Sequence, residues 1–310
     1  MNFIESKSSF EYVEKSLNAI PAEILKENND VKKLWLDENC METIPAEIFN
    51  LTEFKLFSIY KNQLANLPKE LFNLISLERL NLSVNKLSSL PEDIGCLKNL
   101  QVLDIQHNKF EKLPDSIGNL ENLEYLLLGG NLFTSLPNSI MKLKKLKYLN
   151  ITYNNFTELP FIPANIIELR IYNNKITFIP DSIGSLKELR ELHAMNNKIF
   201  KLSEYIGSLI NLKKLVLENN ALTILPESIG NLQNLTDLDL RSNKLVSLPN
   251  SVGNLHKLRF LDLRNNKLTE LPETIRNLVN LEKLDLRLNK ELKIPDWLIE
   301  FEQNGCIIFY

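Results

Sequence analysis

The chain has 310 residues, 44% of them hydrophobic and 24% charged, with 36 Lys plus Arg against 39 Asp plus Glu for a net charge of -3. This composition folds, and without a bulk positive field it argues against nucleic acid or an anionic membrane as partner. Nine Gly, three His and three Cys leave little material for phosphate loops or metal sites, so no cofactor or metal is expected and most enzyme classes are poor fits.

At the N-terminus, residues 1 to 14 carry acidic side chains and no apolar stretch of the secretory type. No apolar run elsewhere nears the roughly 18 residues that span a bilayer, so no membrane insertion is expected. Cys40, Cys96 and Cys306 are widely spaced and form no Cys-x-x-Cys, which favours a reducing, cytoplasmic location. Entry into a host cell without a Sec signal is the alternative. Residues 1–30 are expected to form an N-terminal helical cap and a partial repeat. Ser8-x-x-Glu11 has capping-box spacing, Phe10, Val13 and Leu17 share one helical face, and Leu17 to Ile24 spells part of a repeat.

From residue 31 to residue 303 the chain repeats itself. Asn39, Asn62, Asn85, Asn108, Asn131 and Asn154 recur every 23 residues. One step of 20 leads to Asn174, and the 23-residue period resumes through Asn197, Asn220, Asn243, Asn266 and Asn289, making twelve repeats. Each reads Leu-x-x-Leu-x-Leu-x-x-Asn-x-Leu-x-x-Leu-Pro-x-x-Ile-x-x-Leu, as at Leu100, Leu103, Ile105, Asn108, Phe110, Leu113, Pro114, Ile117 and Leu120. The first half alternates as a strand does, and the second spaces its apolar residues as a helical or 3-10 turn would. The Asn sits where the chain leaves the strand, and its amide both donates to and accepts from backbone groups that a tight bend leaves unpaired. The Leu-Pro that follows fixes φ and stops regular structure.

These residues resemble the leucine-rich repeat family over about nine tenths of the chain. The resemblance implies an α/β repeat solenoid: a horseshoe with a parallel sheet on the concave face and short helical or 3-10 turns on the convex face, used to bind other proteins. The Leu-Pro-x-x-Ile-Gly-x-Leu half, at Leu113 to Leu120 and Leu225 to Leu232, is similar to the short intracellular type found in Ras-pathway scaffolds, plant intracellular proteins and many bacterial proteins. The short repeat, 146–165, replaces its turn with Leu159-Pro-Phe-Ile-Pro-Ala-Asn-Ile166. That spelling is similar to the 20-residue repeats of bacterial effector ubiquitin ligases, which implies a bacterial source. The ligases' catalytic Cys-x-Asp motif has no counterpart at Cys40, Cys96 or Cys306. The short repeat, and the eighth, where Leu202-Ser203 replaces Leu-Pro, are expected weak joints.

Past the repeats, Pro295 to Gln303 reads as helical with Gly305 as its stop, and residues 304–310 as a C-terminal cap strand. That strand either closes the last repeat or pairs with a second chain, so a monomer is expected with a homodimer through the terminal edge as the alternative.

Residues at one register of successive strands form rows, and rows are where a site would lie. The outward positions of the fifth to ninth repeats include Tyr125, Leu127, Tyr148, Tyr153, Arg170, Tyr172, His193, Met195 and Val216, with Gly129 and Gly130 leaving a gap in the cover. Aromatics with Arg and Met are the anchors that interfaces favour, so these are the candidate partner-binding residues. Tyr and Val also suit half-exposed strands, where they stack across the sheet. Trp35, Leu56 and Tyr60 make a smaller apolar spot. Asp239, Asp262 and Asp285 form a row beside Arg241, Arg264 and Arg287, read as a salt-bridge ladder. His107 and His193 lie four repeats apart, and no catalytic or nucleotide-binding motif is present. The expected function is a non-enzymatic protein interaction module with a protein ligand on its concave face. A bacterial effector engaging a host protein, and a self-associating structural protein, are the alternatives.

Overall fold

Alternation over five residues suffices for one short strand, and a strand that short is stable only when its neighbours complete its backbone pairing. The computed structural model describes residues 9–19 and 31–310, which divide into two compact halves, Met1–Asn154 and Asn155–Tyr310. In the N-terminal half, β1 (Ser9–Glu11), β2 (Lys33–Trp35), β3 (Leu56–Ser58), β4 (Arg79–Asn81), β5 (Val102–Asp104), β6 (Tyr125–Leu127) and β7 (Tyr148–Asn150) pair in parallel in chain order. In the C-terminal half, β8 (Glu168–Arg170), β10 (Glu191–His193), β12 (Lys214–Val216), β13 (Asp237–Asp239), β14 (Phe260–Asp262), β15 (Lys283–Asp285) and β16 (Ile307–Phe309) do the same. There β9 (Phe178–Ile179) and β11 (Lys201–Leu202) form a second, two-stranded sheet. The register aligns equivalent repeat positions, as in Val102↔Tyr125 and Leu103↔Leu126.

The apolar positions of each repeat point into one interior. Leu100, Leu103, Ile105, Phe110, Ile117 and Leu120 are all 0% exposed. Opposite the strands, most repeats make a five-residue 3-10 turn such as Asp115–Asn119, entered from an extended proline, Pro114, at φ -70 and ψ 155. The eighth repeat has Ser203 in that place, and the hydroxyl does what proline cannot. It accepts from Tyr205 N–H at 3.1 Å and donates to the Asp181 carboxylate at 2.5 Å, so this joint is capped. The short repeat makes no 3-10 turn between Leu159 and Asn165.

The strand leads into the Asn through one residue of left-handed backbone, at φ between 51 and 68 from Glu38 through Leu288, and only Gly130 among these is a glycine. Val84, at φ 55, is the one β-branched residue held there. Left-handed backbone costs an L-residue about 1–2 kcal/mol, least for Gly and Asn. Val84→Asn is therefore expected to stabilise the protein by about 1 kcal/mol; an unchanged or lower unfolding midpoint in urea would show that Val84 is not strained.

The N-terminus departs from expectation. Phe10, Val13 and Leu17 do not form a helical face, because Ser9–Glu11 is a strand, with Phe10 in register with Leu34. A helix would leave the β2 edge unpaired, whereas the extended chain lets Tyr12 N–H donate to Trp35 O at 2.9 Å and Glu14 N–H to Asp37 O at 3.1 Å. Ser8 and the Ile20 to Ile24 part of the partial repeat lie outside the described residues. At the other end, α1 (Leu298–Gln303) buries Leu298 and Phe301 and stops before Gly305, at φ 91. The chain then adds β16, parallel to β15 with Ile308 opposite Leu284.

Candidate functional site

The candidate residues stand on the solvent side of the strands, and each half presents a different surface. In the N-terminal half, Tyr125 and Tyr148 sit opposite each other on β6 and β7 with ring centroids 5.9 Å apart. Tyr125 is 43% exposed, and Tyr148 and Leu127 are half-buried beside it. Tyr153, 56% exposed, is the left-handed residue before Asn154.

Gly129 and Gly130 do not leave the expected gap. Over Gly129, Asn150 Nδ2 donates to Gln106 Oε1 at 3.0 Å, joining side chains two repeats apart. A Cβ on Gly129 would lie 2.8 Å from Thr152 Oγ1 and 3.0 Å from Gln106 Oε1. At Gly130 the His107 ring fills the space a Cβ would need. The bridge continues to Asp104, whose carboxylate accepts from Gln106 N–H at 3.0 Å, and burial pushes that carboxyl up. This polar bridge was not foreseen from the sequence. Its only trace there is a glycine flanked, one repeat to either side, by residues that carry hydrogen-bonding side chains.

In the C-terminal half the face is charged. Arg170 Nε bonds Glu168 Oε1 at 2.6 Å on its own strand, and His193 Nε2 lies 2.9 Å from Glu191 Oε2 with its side chain 12% exposed. Tyr172 and Met195 are half-buried. Val216 departs from its expected exposure: only 7% of it is accessible, and it lines a recess. Glu168, Glu191 and His193 each bring one ligand atom within 4.8 Å of the others, a composition that suits a transition-metal ion. Arg170 already pairs with Glu168 and the His193 ring with Glu191, so all three side chains have partners within the protein.

The Asp and Arg rows pair as a ladder. Arg264 Nη2 meets Asp262 Oδ2 at 2.7 Å and its Nε reaches Asp285 across the strands at 3.3 Å. Arg287 Nη2 meets Asp285 Oδ2 at 2.6 Å. Burial acts to raise the Asp285 carboxyl, but hydrogen bonds from the Arg287 side chain and backbone, with the charges of Arg264 and Arg287, hold it below the usual range. Among the thiols, burial pushes Cys306 up to about 11, which makes it a poor nucleophile, while Cys40 and Cys96 are exposed. His256 lies exposed in the segment after Leu255 with Nδ1 3.4 Å from Asn277 O.

The profile of the leucine-rich repeat region matches residues 69–132 and 196–286, and that of the single leucine-rich repeat matches 165–186. A leucine-rich repeat protein of Leptospira interrogans superposes with a TM-score of 0.89 at 36% identity, over 95% of this chain and 76% of that one. The chain belongs to the leucine-rich repeat family. The functional domain of InlJ from Listeria monocytogenes follows at a TM-score of 0.74 and 25% identity, over 86% of this chain and 56% of that one. The ectodomain of the Arabidopsis thaliana receptor kinase GASSHO1/SCHENGEN3, in complex with Casparian strip integrity factor 2, gives 0.65 and 28%, over 88% of this chain and 39% of that one. No curated protein matches in sequence. Leucine-rich repeat folds are in general binding scaffolds. Among the described residues, no helix is long and apolar enough to cross a membrane.

Proposed function

We propose that this leucine-rich repeat protein is a non-enzymatic interaction module that binds a protein partner on the sheet face. The observation that carries the reading is the Tyr125–Tyr148 pair, two rings at 5.9 Å projected from fixed strands with Tyr125 43% exposed. Tyr148 is the anchor in the N-terminal half, with Leu127 and Tyr153 beside it; Tyr172 and Met195 are the anchors in the C-terminal half, with Arg170 and His193 supplying polar contacts. Val216 belongs to the recess rather than to the exposed anchors. Strands already paired on both sides lose little entropy on docking, so the surplus goes into affinity. The complex of GASSHO1/SCHENGEN3 with Casparian strip integrity factor 2 supports a peptide or protein ligand for this fold.

Affinity capture with the wild-type protein and with Tyr148→Ala/Tyr172→Ala, read by mass spectrometry, tests this. The expected result is a partner lost at least tenfold with the double variant, while the unfolding midpoint falls only by what about 0.5–1.5 kcal/mol of lost ring stacking allows. Equal recovery of every captured protein would leave the rings as sheet packing and end the assignment. The 36% identity to a Leptospira interrogans protein supports a second reading, in which the chain is bacterial and the partner belongs to a host. Capture from source and host lysates in parallel separates the two.

A further inference from the structure

Across β12 to β15 the solvent side of the sheet carries two rows, Lys214, Asp237, Phe260 and Lys283 in one and Val216, Asp239 and Asp262 in the other. Between them lies a groove of about 210 Å³ floored by Leu238 and Leu261. That is room for several waters, or for one long side chain in their place. We propose that this groove seats a lysine or arginine side chain of the protein partner, its cation on Asp239 and its aliphatic stem between Val216 and Phe260. The proposal rests on the sheet face being a protein-binding surface and names what that partner must present.

The argument begins with three repeats that spell Leu-Asp-Leu-Arg and do not behave alike. In two of them the arginine closes on the aspartate of its own strand, Arg264 on Asp262 with Nε at 3.0 Å and Nη2 at 2.7 Å, and Arg287 on Asp285 at 2.9 and 2.6 Å. The third fork is open. Glu218, on the preceding repeat, draws the Arg241 guanidinium to itself, with Nη2 at 2.5 Å. Arg241 Nε is left 3.3 Å from Asp239 Oδ2, enclosed and without a hydrogen-bond partner. What Asp239 keeps is the backbone N–H of Arg241 at 3.2 Å.

Of the other charges around the groove, Asp262 has its arginine, Asp237 accepts from the Thr236 hydroxyl at 2.6 Å, and Lys283 Nζ lies 5.1 Å from the Phe309 ring centroid. Lys214 stands opposite Asp237 in register, on the row across the groove from Asp239. A half-buried carboxylate with a misaligned partner, next to Asp262 in register, favours an added cation. Burial, with Asp262 and Glu218 adding to it, pushes the Asp239 carboxyl up to about 6 against the pull of Arg241, the behaviour of a charge whose counter-ion is incomplete. The Val216 and Phe260 side chains at the groove's walls suit an aliphatic stem better than a hydrated metal ion.

The probes are n-butylguanidinium, its neutral isostere n-butylurea, and Ca²⁺, each titrated into the full chain with the methyl signals of Val216 and the backbone amide signals of Leu238, Asp239 and Leu261 followed by NMR. Saturable shifts are expected with n-butylguanidinium alone, at least tenfold weaker in Asp239→Asn. That variant keeps the carbonyl that accepts from Arg241 N–H and removes a charge that burial disfavours, so its unfolding midpoint at neutral pH should equal or exceed that of the wild type. Equal shifts with n-butylurea, saturation by Ca²⁺, undiminished binding in Asp239→Asn, or no saturable shift would each overturn the proposal. The Tyr148→Ala/Tyr172→Ala variant should bind the probe as the wild type does. A groove that fails while that variant still loses its partner removes only the groove, and the converse result removes only the tyrosine anchors.

Discussion

Asn131→Ala is expected to cost about 2–3 kcal/mol, because it orphans the buried Phe110 N–H and strips one of two amide donors from each of two buried carbonyls. Asn131 is 5% exposed, and its Oδ1 accepts from Phe110 N–H, in the preceding repeat, at 3.1 Å. Its Nδ2 donates to Ile105 O of the preceding repeat and to Leu128 O of its own, both at 3.0 Å. Alanine leaves that N–H unsatisfied in a dry interior, at roughly 1–3 kcal/mol before relaxation, while Ile105 O keeps Asn108 Nδ2 at 3.1 Å and Leu128 O keeps Asn154 Nδ2 at 3.0 Å. The loss also acts between repeats, since stability in a stacked array is the sum of repeat and interface terms. Hydrogen exchange should show the Phe110 amide losing most of its protection, with the effect decaying along the neighbouring repeats. The control is Asn122→Ala, whose amide makes an exposed bond to Lys98 O at 2.9 Å and should cost under about 1 kcal/mol. A loss below 1 kcal/mol at Asn131 would mean that water or backbone movement replaces the ladder.

The features legible in the sequence are those that a single repeat must solve for itself and its neighbour. The period, the strand, the interior leucines and the backbone-pairing role of the Asn follow from alternation and from the donors and acceptors that a bend strands, and every copy of the motif repeats the answer. What was not legible depends on the neighbour's side chains. Phe10 to Leu17 satisfies a helical spacing as well as an extended one, and the choice is made by the open β2 edge, which no local pattern contains. Lys15, standing where an Asn would, hides the extra strand further; Asn39 closes that turn instead, accepting from Lys15 and Leu17 N–H at 3.0 Å each. Gly129 and Gly130 announce missing side chains but not that Gln106, Asn150 and His107 reach over to fill the space. Leu-Asp-Leu-Arg is spelled alike three times, yet a single Glu218 on the preceding repeat redirects Arg241 and leaves Asp239 different from Asp262 and Asp285. The fold is thus written in the repeated positions, and the candidate site in the exceptions.

Gly118→Ala is expected to cost about 2–3 kcal/mol, at the upper end of what one added methyl does in a packed core. The position follows the Ile of the Leu-Pro-x-x-Ile-Gly half, in the 3-10 turn, and its backbone is not in the glycine-only region, so conformational freedom is not the reason for glycine. Space is the reason. A Cβ there would lie 2.5 Å from Ser139 O and 2.8 Å from Ser139 Cβ, on the turn of the next repeat. The same approach recurs at Gly95 against Ser116, and at Gly207, Gly230 and Gly253 against Ser228, Ser251 and Thr274. The constraint is not universal: Phe49 and Phe72 hold the position in the first two turns, and Arg276 holds it before the C-terminal helix, where it bonds Glu300 at 2.9 Å. Arg276→Gly should therefore cost under about 1 kcal/mol, the worth of an exposed ion pair. The decisive variant is Gly118→Ala with Ser139→Gly. The nearest obstacle is a backbone oxygen, which truncating the serine does not move, so the pair should remain close to the single variant in stability. Full rescue by Ser139→Gly would show that side chains, not backbone contact, set the spacing of the turns.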